Sequence, residues 1–277
     1  MEQVKIVEVS EVGALQPLGP DARNRIVVPP ERFEAHSPFV LMVEDFISGG
    51  HEYHLHPHRG IETVTFFLDG EMEHIDNFGT TGIVHAGDVQ WMTAGHGIMH
   101  GGRPHGSRPV HALQLWLNLP AELKMSAAGT RVQRRAEAAR CEGPGMTARV
   151  FGERRRPEGV APWSRWPMTL TDVEVDKDAA FDLPVATGER VFIHLISGEV
   201  AVNEDRLHAG QTGWLDLVPL ERTLPIRAIS AARLIAYSAV PIDEPVVARG
   251  PFVMNTDAEI GQAYADLRAG RFIDPSR

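Results

Sequence analysis

The sequence predicts an all-β protein of two similar antiparallel barrels with a single helix at the C-terminal end. Three observations predict it. Short apolar runs of strand length are separated by Gly turns, with no helical period between them, through most of the 277 residues. Turn signatures of the first half recur in the second. Only the end of the chain switches to a period near 3.6.

The first legible element is Phe39-Val40-Leu41-Met42-Val43, which Ser48-Gly49-Gly50 brings to an end. Lys5 to Val28 is interrupted by Gly and Pro and reads only as irregular or edge-strand structure. A histidine-rich stretch from His54 to Glu62 then runs into the apolar segment Val64 to Leu68. Asp69-Gly70 is a dipeptide favoured at tight hairpin turns, and Glu71 to Asp76 continues as the next strand. Further strands are expected at Ile83 to Met92 and at Val110 to Leu117, where Leu113, Leu115 and Leu117 alternate with Gln114 and Trp116, while Gly95-His96-Gly97 punctuates the approach to Ile98-Met99-His100 and places His100 on a distant loop.

Residues 120–143 are rich in Ala and charge, lack alternation, and read as the connection between halves. Beyond them the pattern repeats. Leu68-Asp69-Gly70-Glu71-Met72 has a counterpart in Ile196-Ser197-Gly198-Glu199-Val200, and His85-Ala86-Gly87 in His208-Ala209-Gly210. Near the end, Thr256 and Glu259 have capping-box spacing, Ile260, Ala263, Tyr264 and Leu267 fall at i, i+3, i+4 and i+7, and Gly270 can close a helix over 257–269. The expected domains are therefore 1–125 and 140–277, the second ending in the helix.

Composition excludes several classes. A net charge of −10 argues against a broad electrostatic grip on nucleic acid or anionic lipid. Arg154-Arg155-Arg156 is short and adjoins Pro157-Glu158-Gly159, so it reads as a solvated loop. With Cys141 as the only cysteine an internal disulfide is impossible, and no signal-peptide core or membrane-length apolar run is present. The expected location is cytoplasmic.

The chemistry concentrates at His54-Leu55-His56-Pro57-His58-Arg59-Gly60-Ile61-Glu62, with a distant partner at His100. On a strand, i and i+2 side chains share a face roughly 6 to 7 Å apart. His56 and His58 can thus aim two imidazoles at one ion, and the same parity carries on through Glu62, Val64 and Phe66. The motif is weak on its own, and three histidines in a surface loop are the other reading. Glu62 reads as a ligand or proton carrier, or as a buried structural hydrogen-bonding group. His96, four residues before His100 in a Gly-flanked loop, reads as an acid or base near neutral pH or as a solvated histidine. His54 reads as a surface residue, and His105 lies in a loop with no assigned role. Trp91, Trp116 and Phe66 read as core, and His194 and His208 as ordinary fold residues. The second half carries no such site: an offset of 128 residues from His56 and His58 falls on Pro184 and Ala186.

These stretches resemble the pirin family. The resemblance rests on His56-Pro57-His58-Arg59-Gly60-Ile61-Glu62-Thr63, Ala86 to Gly95, Leu113 to Pro120, and Gly250-Pro251-Phe252-Val253-Met254-Asn255-Thr256, in the family's order and in both halves. It implies two tandem cupin barrels, that is double-stranded β-helices of jelly-roll type, and one divalent metal, Fe(II) or alternatively Ni, Cu, Zn or Mn, held by His56, His58 and His100. It also implies quercetin 2,3-dioxygenase-like activity on a small aromatic or enolisable molecule, or else a non-enzymatic regulator acting through protein partners. The family's fourth ligand, a Glu that is also the implied base, is replaced by Gly102, with Gly101 and Gly102 as candidates for positive φ. Three imidazoles remain a competent divalent site, one unit more positive than the family's.

Overall fold

The computed structural model describes residues 4–154, 156 and 158–273. Met1 to Gln3, and Arg155 and Pro157 of the basic stretch, lie outside the described residues. In chain order the strands are β1 (Ile6–Glu11), β2 (Gln16–Gly19), β3 (Ala22–Val28), β4 (Phe39–Ile47), β5 (Tyr53–His58) and β6 (Ile61–Asp69). They continue as β7 (Glu71–Asp76), β8 (Thr81–His85), β9 (Val89–Thr93), β10 (Ile98–Pro104), β11 (Val110–Asn118) and β12 (Gly129–Gln133). The repeat supplies β13 (Ala139–Gly143), β14 (Met146–Gly152), β15 (Met168–Val175), β16 (Ala180–Val185) and β17 (Arg190–Ser197). It is completed by β18 (Glu199–Val202), β19 (Asp205–His208), β20 (Gln211–Leu215), β21 (Arg222–Ala228) and β22 (Ala232–Ala239). A two-stranded ribbon, β23 (Val247–Arg249) and β24 (Phe252–Met254), precedes a helix over Asp257–Arg268.

Each unit is a jelly roll of one seven-stranded and one four-stranded sheet. The first has the orders β12-β9-β6-β11-β4-β3-β2 and β5-β10-β7-β8, and the second β1-β20-β17-β22-β15-β14-β13 and β16-β21-β18-β19. The two sets correspond strand for strand, so the internal repeat is real at the level of topology. Asp69-Gly70 does not close a paired hairpin as expected: β6 lies in the large sheet and β7 in the small one. Gly70 turns the corner at φ 75°, where a side chain would also strike the Pro109 carbonyl. Gly198 makes the same turn at φ 80°, against the carbonyl of Ala231.

The contiguous division at 1–125 and 140–277 is corrected by the strand pairing. One unit comprises residues 14–135, 163–166 and 242–273, and the other residues 4–13, 136–162 and 167–241. The repeat ends without a partner for β20, and β1, from the start of the chain, fills that edge by pairing antiparallel with it. Of the two readings for Lys5 to Val28, irregular or edge-strand, β1 and β2 follow the second, each lying at the edge of a seven-stranded sheet. The stretch expected as a connection likewise contains β12 and β13; β12 is an edge strand on β9, where mixed exposure removes the alternation that would have revealed it.

The helix belongs to the histidine-bearing unit, not to the one it follows in sequence. Its start is the predicted capping box: the Glu259 N–H donates to Thr256 Oγ1 at 3.2 Å, and the Thr256 hydroxyl donates to Glu259 Oε2 at 2.9 Å. Its apolar face buries Ile260 and Ala263 against Phe252, Met254 and Phe272. The other unit is filled with aliphatic side chains, among them Leu183, Val200, Leu224 and Ile226. No described helix is long and apolar enough to cross a membrane.

Candidate metal centre

The site is built by register in the small sheet. Strand β10 lies between β5 and β7, with His100 directly across from His56 and Ile98 across from His58. Residues paired across a sheet share a face, as do residues two apart on one strand, so His56, His58 and His100 converge. Their ring centroids are 4.4 Å apart for His56 and His100, and 5.1 Å for each pair involving His58. One ligand nitrogen from each lies within 4.8 Å of the others. His100 was expected on a distant loop; it is the third residue of a central strand, so the backbone ladder itself sets the spacing.

Hydrogen bonds orient the rings. His56 Nδ1 is 2.8 Å from the His54 carbonyl oxygen, and His58 Nδ1 is 3.3 Å from that of Pro251. With a proton on each Nδ1, each Nε2 keeps its lone pair for a ligand. His100 Nε2 is buried and has no hydrogen-bond partner among the described residues. Burial, and then the neighbouring His56, hold His58 down to about 3, against a small opposing effect of the Pro251 carbonyl. Burial, followed by His56, His58 and His74, holds His100 well below the ordinary imidazole range. Three convergent nitrogens, two of them on rings held neutral, and an orphaned Nε2 fit a divalent metal ion.

His56 and His100 line a cavity of about 290 Å³ inside the barrel, while His58 is buried and is not part of its lining. Its lining mixes apolar residues with Asn24, Asp45, Thr65, Gln90 and Gln114. Gln114 is paired with Thr65 and Thr65 with Gln90, giving a polar row across β11, β6 and β9. Trp116, expected in the core, lines this cavity instead, 5.0 Å from the His58 ring, with its indole N–H donating to Gln114 Oε1 at 3.2 Å. Phe66 and Trp91 are buried as expected.

The two tentative catalytic residues are not brought to this cavity. The expected continuity from His56 to Glu62 breaks at Gly60, whose φ of 80° turns the chain from the small sheet into the large one. On β6 the cavity-facing residues are Thr65 and Phe67, so Glu62 faces the other way. There it accepts hydrogen bonds from the Thr93 hydroxyl at 2.6 Å, the Arg165 N–H at 2.9 Å and the Ser164 hydroxyl. His96 is buried rather than solvated, with Nδ1 3.1 Å from the Ser126 carbonyl oxygen and its own carbonyl taken by Arg59. His54 and His105 are exposed, the first contributing only its backbone carbonyl.

Two cavity residues were missed. His74, on β7, lies across from Gly102 with its ring centroid 5.8 Å from that of His100 and Nε2 3.3 Å from Asp76 Oδ2. Asp76 is fixed by the backbone N–H groups of Phe78 and Thr80. Asp45 is 8% exposed, and burial, opposed by Asn24 and assisted by Glu44, pushes its carboxyl up to about 7. A signal existed for both: each is an ionisable side chain inside an otherwise legible strand.

Two family models match this chain: pirin over residues 27–117, and the pirin C-terminal cupin domain over residues 170–273. Mouse pirin is 35% identical over 278 residues, spanning 97% of this chain and 94% of the mouse protein. The chain belongs to the pirin family. It is a bicupin, mostly β, with one short C-terminal helix. The structure of a quercetin 2,3-dioxygenase from Acinetobacter baumannii is similar with a TM-score of 0.85 and 28% identity, over 98% of this chain and 99% of that one. The bacterial pirin YhhW of Escherichia coli, solved in complex with nickel(II), shares the fold at a TM-score of 0.68 and 21% identity, over 85% of this chain and 100% of that one.

Proposed function

We propose that this bicupin binds one divalent metal through His56, His58 and His100, Fe(II) in the working protein, and acts as a dioxygenase on a small aromatic or enolisable molecule. The observation that carries the reading is the triad of converging imidazoles, two of which, His56 and His100, line a partly polar cavity. The cavity is of the size of a small planar ligand. The likeness to a quercetin 2,3-dioxygenase supports the substrate class.

The chain's own contribution is positional. Carbonyls of His54 and Pro251 hold the His56 and His58 rings in one tautomer, so the donors are set before any ligand arrives. Trp116 offers an aromatic edge beside His58, and Gln90 and Gln114 offer amide groups for polar substituents. A bound divalent ion supplies Lewis acidity and open coordination positions for substrate and dioxygen.

The test is anaerobic loading with Fe(II), followed by oxygen-uptake measurements over a panel of flavonols and other enols. Uptake that needs both metal and an enolisable substrate, and that vanishes in His58→Ala, is the expected result. No metal-dependent uptake with any of them would remove the dioxygenase reading.

A further inference from the structure

Among the described buried carboxylates of the histidine-bearing unit, Asp45 is the one held by a single side chain. Glu44, next to it but on the opposite face of β4, is bound by Arg25 and His111. Glu62 and Asp76 are saturated as described above, Asp88 is bound by Arg134 and two backbone N–H groups, and Asp266 by Arg59 and Gln262. Structural carboxylates are tied down in this way because an untied one costs desolvation with no return. Asp45 has only Asn24, its directly paired neighbour on β3.

Its surroundings are those of a site. Asp45 lies on the inner face of β4, and its other paired neighbour is Ala112 on β11, which brings no polar group. From β5 comes Tyr53, which senses the Asp45 charge and whose buried hydroxyl has no hydrogen-bond partner among the described residues. The Tyr53 ring is in turn 6.5 Å from that of His56. His56, His74 and His100 face the same cavity, and Gly102 lines it without a side chain. A carboxyl, an unengaged phenol and the imidazoles of His56, His74 and His100 therefore line one cavity.

We propose that Asp45 is the catalytic base of this cavity, taking the proton of an acidic hydroxyl on a phenolic or enolic substrate whose oxygen is turned toward the histidine triad. The inference rests on the dioxygenase reading. In the step itself, the substrate O–H bond breaks, its electron pair stays on the oxygen, and the proton ends on an Asp45 carboxylate oxygen. Burial places the carboxyl near neutrality, where a base combines a usable charged fraction with a real affinity for the proton. Glu62 and His96, the bases expected from sequence, face elsewhere.

The experiment uses quercetin as probe, added under argon to the metal-loaded full-length protein, because flavonol and flavonolate differ in absorption and no oxygen is present to consume them. Wild type is expected to hold quercetin as the flavonolate. Asp45→Asn, with metal content unchanged, is expected to hold it neutral, and Asp45→Glu to restore part of the anion. With oxygen admitted, Asp45→Asn should be slower by roughly 10² to 10⁴-fold. If Asp45→Asn does not fold, the infrared difference spectrum of wild type on binding quercetin decides: a new protonated-carboxyl band supports the assignment, and its absence overturns it. Flavonolate in both wild type and Asp45→Asn overturns the base while leaving the dioxygenase reading intact. No binding of quercetin by the loaded wild type overturns both.

Discussion

Gly102 lies directly across from His74 in the pairing of β10 with β7, so on that face of the sheet the imidazole stands beside a position with no side chain. The backbone does not leave room for one. Neither Gly101 nor Gly102 is among the residues with positive φ, so the expected conformational reason for glycine does not hold. The reason is contact: a Cβ at Gly102 would collide with the Glu73 carbonyl oxygen, and one at Gly101 with that of Tyr53. Gly102→Ala should therefore cost about 1 to 3 kcal/mol in denaturant unfolding, as overpacking does. Gly102→Glu should cost more and lower the metal content, because the side chain meets β7 before it reaches the histidines. A Gly102→Glu variant with wild-type stability and higher metal occupancy would show that β7 yields easily.

His58→Ala should abolish stoichiometric metal while leaving the far-ultraviolet circular dichroism unchanged. Two nitrogens from His56 and His100 remain, but a divalent site with one ligand fewer loses most of its affinity. His54→Ala is the matched control, since His54 serves through its backbone carbonyl, which the substitution keeps. Elemental analysis of the two variants side by side checks the assignment, and equal metal in both would mean the ligands are wrong.

The parts of the fold that were legible are those encoded locally. Thr256 and Glu259 announce the helix start because a capping box needs only four residues, and Gly70 and Gly198 announce the two matching corners because a positive φ leaves a Gly signature. His56 and His58 announce themselves by period-two spacing, and the family resemblance adds His100. What could not be read depends on partners far along the chain. The pairing of β1 with β20 joins residues about 200 positions apart, and no local pattern encodes it. The inner face of β6 could not be inferred from β5, because one residue, Gly60, resets the parity between two sheets. Asp45 and His74 looked like ordinary strand polar residues, and only closure of the barrel shows that they face inward.

The C-terminal segment should be necessary for the stability of the histidine-bearing barrel. Arg59, one residue beyond His58, donates from Nη1 to Asp266 Oδ2 at 2.9 Å, from Nη2 to the Phe272 carbonyl at 3.2 Å, and from Nε to that of His96. Both partners of the ion pair are almost fully buried, and the guanidinium lies 4.6 Å from the Phe272 ring centre. Removing one partner of a buried pair strands the other charge, so Asp266→Ala should cost about 3 to 5 kcal/mol. The double variant Arg59→Met, Asp266→Ala should recover part of that loss, because no unpaired charge is left. Chemical denaturation of the two variants measures both numbers, and a loss under about 1 kcal/mol for Asp266→Ala would place the pair with weakly coupled surface bridges.

The stability of the metal-free protein should also report the state of Asp45. Its carboxyl titrates near 3.8 in an unfolded chain and is raised to about 7 in the barrel, burial being the main cause. Between those two values the folded protein binds more proton than the unfolded one, so this group's contribution is fully present below about pH 4, falls as pH rises, and is lost above about pH 7. Asp45→Asn keeps the size of the side chain and a partner for Asn24, but has no charge to desolvate. The variant should therefore be more stable than wild type at pH 8, by on the order of 2 to 4 kcal/mol for a shift of this size, and the two should converge near pH 4. Other titrating groups are common to both proteins and cancel in the difference. Unfolding curves for the pair at pH 4, 6 and 8 test this. Curves that stay parallel would mean that Asp45 is solvated in the free protein, and a gain in stability at pH 8 alongside loss of the flavonolate signal would mark it as a group kept at a cost for its chemistry.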